Sequence, residues 1–104
     1  MPEVAPRPGE YLVPKHRWSA FHGTVLDPEL RKRRIDTIIL TGGSTEIGVS
    51  STAYAARDLD YHLVIAADAC TSAKRDVHEQ LVREVFPRLA RVRTTMQVLE
   101  MLKP

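Results

Sequence analysis

A single cysteine, a single tryptophan and an aromatic content of 6% leave this chain with nothing to staple it and few large rings to bury. Cys70 has no partner for an intramolecular disulfide, which fits a reducing compartment. Long apolar runs are absent too. The longest, Thr37-Ile38-Ile39-Leu40 and Leu63-Val64-Ile65-Ala66-Ala67, are strand-sized and far from the ~20 residues that span a bilayer, so no membrane partner is expected. The first eight residues contain no apolar stretch of the kind that marks a secretory signal, and the cytoplasm is the expected location. Charge of one sign is also lacking. Fifteen basic against thirteen acidic residues give a formal net charge of +2, too balanced to form an electrostatic footprint for DNA or RNA. No two of the four histidines stand at metal-ligand spacing.

What is present is ordinary globular material. Hydrophobic residues make up 43% and charged residues 27% of 104, values that support one small domain with a real core. Residues 1–10 carry three of the seven prolines and Gly9, and read as an irregular segment ahead of a domain at 11–104. Tyr11-Leu12-Val13 reads as a short strand, closed by Pro14 and the polar, aromatic run Lys15-His16-Arg17-Trp18. Asp27-Pro28-Glu29 reads as a helix start with Asp27 at the cap and Pro28 in the first turn, the helix ending near Arg34.

Residues 35–41 are β-branched and apolar, the composition of a parallel strand covered on both faces. Gly42-Gly43-Ser44 breaks it. A helix is expected next over 45–59, with Ile47, Ala53, Ala56 and Leu59 on one face. The pattern repeats: a strand over 61–67, a loop over 68–72, and a helix over 74–89 whose face is Val77, Leu81, Val82, Val85, Phe86 and Leu89, distorted near Pro87. Arg91-Val92-Arg93 reads as a last short strand. Thr94 and Gln97 stand at capping-box spacing ahead of Val98, Leu99 and Leu102. This alternation is the signature of an α/β fold, a parallel sheet with helices on its faces in three layers. Ligands of such sheets bind at the carboxyl ends of the strands, which directs attention to Lys15, to 42–48 and to 68–72.

Three segments in order carry a resemblance: Lys15-His16-Arg17-Trp18-Ser19-Ala20-Phe21-His22-Gly23-Thr24, then Thr41-Gly42-Gly43-Ser44-Thr45-Glu46-Ile47-Gly48-Val49-Ser50-Ser51-Thr52-Ala53, then Asp68-Ala69-Cys70-Thr71-Ser72 with His78. With Val92-Arg93-Thr94-Thr95 they make the chain similar to the isochorismatase-like (cysteine hydrolase) family over about residues 10–102. Members of that family are usually about twice as long and begin with a strand bearing an aspartate, which nothing before Lys15 matches. The expectation is therefore the C-terminal part of a Rossmann-like hydrolase domain, with the N-terminal strands missing.

The resemblance implies a catalytic set of aspartate, lysine and cysteine that hydrolyses amide-type C–N bonds through a thioester. Lysine maps onto Lys15, which without the resemblance would read as a solvated lysine. The cysteine position maps onto Gly48, so no thiolate is available there; Cys70 lies elsewhere and reads as a small buried residue. Family isochorismatases also carry glycine at this position and cleave a vinyl ether with the aspartate as proton donor. Glu46 and Asp68 are only distant substitutes for that acid.

The resemblance also implies a cis peptide between Gly43 and Ser44, and an oxyanion hole of backbone N–H groups reaching to Gly48. A plain strand-to-helix turn is the alternative. Trp18, Phe21 and His22 could wall a pocket for a small planar substrate, while core packing or partner contact is an equal alternative for Trp18 and Phe21. His62 and His78 read as structural. The family's zinc site, where present, belongs to the missing half, so no metal or cofactor is expected.

Two functions remain open. One is hydrolysis of a small-molecule amide or vinyl ether, impaired by the missing aspartate and by glycine at 48. The other is a catalytically inactive family member serving as an interaction or structural module. An unpaired sheet edge is aggregation-prone, and a homo-oligomer is expected.

Overall fold

The computed structural model describes residues 5–104. Residues 1–4 of the N-terminal segment lie outside the described residues, and residues 5–10 form no helix or strand. Three parallel strands form the sheet in the order β1-β2-β3: β1 at Thr37–Gly43, β2 at His62–Thr71 and β3 at Arg91–Arg93. Four helices accompany them: α1 at Leu26–Lys32, α2 at Ser50–Asp58, α3 at Arg75–Gln80 and α4 at Thr95–Met101. Among the described residues, no helix is long and apolar enough to cross a membrane.

Successive side chains of a strand point to opposite faces, and β2 uses both. Leu63 and Ile65 join Val49, Ala53, Ala56, Tyr61, Cys70 and Phe86 in the main core beneath α2 and the α3 segment. Val64 and Ala66 meet Val98 of α4 on the opposite face. The result is the expected three-layer α/β/α architecture. β1 departs from expectation: Ile38 and Leu40 pack on the main core, whereas Ile39 on the other face is 41% exposed. Among the described residues the strand is covered mainly on one face, and α4 packs over β2.

Four local readings need correction. Tyr11-Leu12-Val13 is not a strand. The run is only three residues long before Pro14 removes a ladder donor, and the Tyr11 ring instead sits 4.9 Å from the Arg33 guanidinium beside α1. Asp27 is not the cap of α1 but lies inside its first turn. The Thr24 hydroxyl takes the Leu26 N–H at 3.2 Å, which leaves the Asp27 carboxylate to accept the Tyr61 hydroxyl at 2.5 Å and pair with Arg31 at 3.2 Å.

The loop expected at 68–72 is largely strand. Leu40 pairs with Ile65 and Gly42 with Cys70, so a two-residue step in β1 faces a five-residue step in β2. This bulge accommodates Asp68, whose carboxylate accepts the Thr95 N–H at 2.6 Å and the Thr95 hydroxyl at 2.7 Å. Finally, Thr45–Val49 forms a π-helical turn ahead of α2. A wider turn rotates the residues after it relative to 3.6-residue periodicity, so Val49 rather than Ile47 shares the buried face with Ala53 and Ala56, and Ile47 is 38% exposed.

Other readings hold. Pro87 falls in a 3₁₀ turn at Phe86–Arg88 that ends the α3 segment, after a second π-helical turn at Leu81–Val85. Thr94 caps α4 in a reciprocal capping box with Gln97. The core is small enough that single side chains matter. Phe86→Ala should cost about 3–5 kcal/mol by leaving a cavity, and Tyr61→Phe about 0.5–1.5 kcal/mol by removing one hydrogen bond from an Asp27 carboxylate that keeps its Arg31 partner. Urea unfolding monitored by circular dichroism would read both, with Phe86→Ala the larger.

Candidate active site

The segment at 15–24 has no regular structure and is built on hydroxyl bonds. The Ala20 N–H donates to Thr52 Oγ1 at 2.9 Å, pinning the loop to a buried residue of α2. The Phe21 N–H donates to Ser19 Oγ at 3.1 Å, and the Thr24 hydroxyl to the Ala20 carbonyl at 2.6 Å. Within this frame Lys15 folds back over its own loop. Its Nζ donates to the carbonyls of Arg17 at 2.5 Å and Trp18 at 3.2 Å.

The other wall is the turn after β1. Gly42 takes φ +127°, a backbone that L side chains rarely adopt, and the peptide bond between Gly43 and Ser44 is cis. The Ser44 carbonyl accepts the N–H groups of Ile47 and Val49, both at 3.1 Å. At Gly48 the two walls meet. A Cβ at this position would lie 3.0 Å from the Gly43 carbonyl oxygen and 3.7 Å from that of Trp18. The Trp18 carbonyl thus links the Lys15 ammonium to Gly48.

The nearby acids are engaged as hydrogen-bond acceptors. Glu46 accepts the hydroxyls of Ser44 and, at 2.9 Å, of Ser72. These bonds, with that of Ser44 the strongest, hold its carboxyl below the ordinary value of 4.5. Asp68 is likewise held below 3.8 by the Thr95 hydroxyl and N–H. Among the described residues no carboxylate forms an ion pair with Lys15. The Cys70 thiol is buried, donates to the Ala66 carbonyl at 3.4 Å, and is pushed up by burial, all of which disfavour a thiolate. Thr45 is fully buried, with Oγ1 2.7 Å from His78 Nδ1, so this histidine braces the turn.

Lys15, Trp18, Gly43, Ser44 and Gly48 therefore come together. Phe21 does not join them as a pocket wall: its ring stacks on Tyr61, centroids 5.7 Å apart, and packs on the main core. Trp18 and His22, both expected to line a pocket, share with Ser51 a cavity of about 390 Å³ beside the loop, together with His16 and Arg17, which sequence reasoning did not assign to a pocket. The clue available was the basic run around Trp18. Among the described residues no group of three or more His, Cys, Asp or Glu is placed to hold a metal ion.

Lowered carboxyl values carry a sign. A group held below its unfolded value adds stability above that value and loses it as pH falls through the folded one. Stability should therefore decline as pH drops below the ordinary values of 4.5 for Glu46 and 3.8 for Asp68. Urea midpoints measured across that range should fall less steeply in Glu46→Gln/Asp68→Asn than in the parent chain.

The geometry has close counterparts among known proteins. The family model for the isochorismatase domain matches residues 1–97. The isochorismatase family protein YwoC of Bacillus subtilis is 45% identical over 103 residues, 99% of this chain and 54% of its own length. The ureidoacrylate amidohydrolase RutB of Stutzerimonas stutzeri is 41% identical over 78 residues, 75% of this chain and 32% of its own. The solved structure of an isochorismatase family protein from Burkholderia thailandensis superposes with a TM-score of 0.95 at 38% identity, covering all of this chain and 55% of that one. This chain thus spans about half the length, or less, of the relatives it matches. Its sequence and its fold place it in the isochorismatase family.

Proposed function

We propose that this chain is an isochorismatase-type hydrolase acting on a small-molecule amide C–N bond or a vinyl ether, and that its chemical step is impaired for want of an acid beside Lys15. The observation that carries the reading is the convergence of the Lys15 ammonium, the Trp18 carbonyl, the Gly43–Ser44 turn and Gly48. In this reading Lys15 polarises the substrate, and backbone N–H groups of the turn, among them that of Gly48, receive developing negative charge. Gly43 and Ser44 shape the turn, and Trp18 supplies a wall for the substrate. Water is the nucleophile, since glycine at 48 offers no thiol. The similarity to RutB, named as an amidohydrolase, supports the C–N alternative.

The unit responsible is the domain at 11–104, working in the cytoplasm on a small molecule without a cofactor, nucleic acid or membrane. One observation favours a second reading, a catalytically silent interaction or structural module. Glu46 and Asp68 are engaged as hydrogen-bond acceptors and held in their ionised form, which disqualifies both as proton donors near neutral pH.

Turnover of isochorismate and a panel of small amides by the purified chain tests the proposal. Slow turnover, reduced a further ~10²-fold or more by Lys15→Ala, is expected; no turnover at high enzyme concentration would leave the silent module standing.

We further propose a homo-oligomer in which a second copy covers β1. Among the described residues β1 is paired along one edge only. Ile39 is 41% exposed on its open face, and Leu102, one turn beyond Val98 on α4, is 63% exposed. Sedimentation equilibrium should give a mass above 11.7 kDa that drops towards it in Ile39→Lys; a monomer at every concentration would contradict the assembly.

A further inference from the structure

The amino ends of the strands form another concavity, at the opposite end of the sheet from the turn at Gly43–Ser44. Thr37 opens β1, His62 opens β2 and Arg91 opens β3. Register sets Thr37 beside His62 and Arg91 beside Val64. His62 and Val64 are two residues apart on β2, so strand alternation sends Thr37, His62 and Arg91 to one face of the sheet. Arg57, in the last turn of α2, completes the rim. These four residues line a cavity of about 410 Å³, within the ~300–1,000 Å³ usual for small-molecule sites. Its floor is apolar: Val64 is buried and Leu89 half-buried, and both line it.

Charge sets this cavity apart from the rest of the chain. Arg31, Arg33, Arg75 and Arg83 each pair with a carboxylate. Among the described residues Arg57 and Arg91 form no ion pair. Asp36, Asp58 and Asp60 are close in sequence, yet no carboxylate lines the cavity. The Thr37 hydroxyl donates to the Asp36 carboxylate at 3.0 Å, so the two guanidinium groups and the His62 ring are the donors left. Two cations that share a concavity without a counter-charge repel each other, and an anion between them removes that cost.

The donor set selects the anion. Each guanidinium offers a fork that matches the oxygens of a carboxylate or a phosphate, and the imidazole offers an N–H in either neutral tautomer. A carboxylate brings two oxygens and one charge to these three groups. The phosphate of a monoester brings three terminal oxygens and close to two charges near neutral pH, one oxygen for each group, and its organic part has the apolar floor to lie on.

We propose that Arg57, His62 and Arg91 form a binding site for a small phosphate monoester. At the rise of a parallel strand, the seven residues of β1 set this site roughly 20 Å from the turn at Gly43–Ser44. A ligand held there is therefore separate from a molecule bound beside Lys15 and Gly48.

Phenyl phosphate, with benzoate as a carboxylate of similar size, tests the site on the full chain at constant ionic strength near neutral pH. In ¹⁵N–¹H correlation spectra phenyl phosphate should give saturable shifts at His62, Leu63, Ala90 and Arg91, and benzoate should shift these amides with about tenfold lower affinity. Arg57→Gln and Arg91→Gln should each weaken phenyl phosphate about tenfold. Arg75→Gln, beside Ser72 at the far end of β2, should leave it unchanged. Arg57 and Arg91 are exposed, and the same spectra report whether the variants are folded; were one unfolded, the position of the shifts in the parent chain would still decide. Equal affinity of these amides for the two probes, unchanged binding in Arg57→Gln and Arg91→Gln, shifts mapping elsewhere or no saturation would overturn the site.

Discussion

At Gly48 two backbone carbonyls, from Gly43 and from Trp18, approach so closely that a methyl group would stand 3.0 Å from the first and 3.7 Å from the second. Both neighbours are main-chain atoms with little freedom to retreat. Gly43 ends β1 in register with Thr71, and the Trp18 carbonyl is engaged by Lys15. A Cβ at 48 would crowd the Gly43 carbonyl, whereas 3.7 Å to the Trp18 carbonyl is ordinary contact, and it is at this position that the loop at 15–24 closes on the turn after β1. With that contact the ammonium of Lys15 reaches the carboxyl end of the sheet, where α/β folds bind their ligands.

The surrounding structure serves that contact from both sides. Thr52 on α2 holds the loop through Ala20. Beneath the turn, Thr45 is buried against His78, while Glu46 ties the turn to Ser72 at the end of β2. Polar groups near the junction are thus spent on one another, as buried or half-buried polar groups must be. Glu46 and Asp68 serve the fold as acceptors: the bonds that brace the turn lower the Glu46 carboxyl, and those from Thr95 in the β2 bulge lower that of Asp68.

Much of this was legible in the residues. The β-branched run before Gly42 and the apolar run before Asp68 marked parallel strands, and Thr94 with Gln97 marked the last helix, because those signals are local. What escaped were effects of tertiary context. The π-helical turn at Thr45–Val49 rotates the buried face from Ile47 to Val49, and no periodicity count registers an extra residue in a turn. β2 continues past Ala67 because Thr95, 27 residues away, satisfies Asp68. Asp27 looked like a cap until Tyr61 claimed it. Of the residues expected at the site, Lys15, Trp18, Gly43, Ser44 and Gly48 were named through a family pattern and lie around one junction, whereas Phe21 stacks on Tyr61. The part that His16 and Arg17 play in the cavity of Trp18 and His22 was not legible, because adjacency in sequence does not reveal a shared concavity.

The central proposal is that, among the described residues, no proton donor stands beside the junction of Lys15, the Gly43–Ser44 turn and Gly48. Chemical rescue by a small carboxylic acid tests it most directly, by following isochorismate cleavage at fixed pH and ionic strength as formate is added. The account predicts a rate that rises in proportion to the concentration of protonated formic acid and does not rise in Lys15→Ala. A rate indifferent to formate would contradict it.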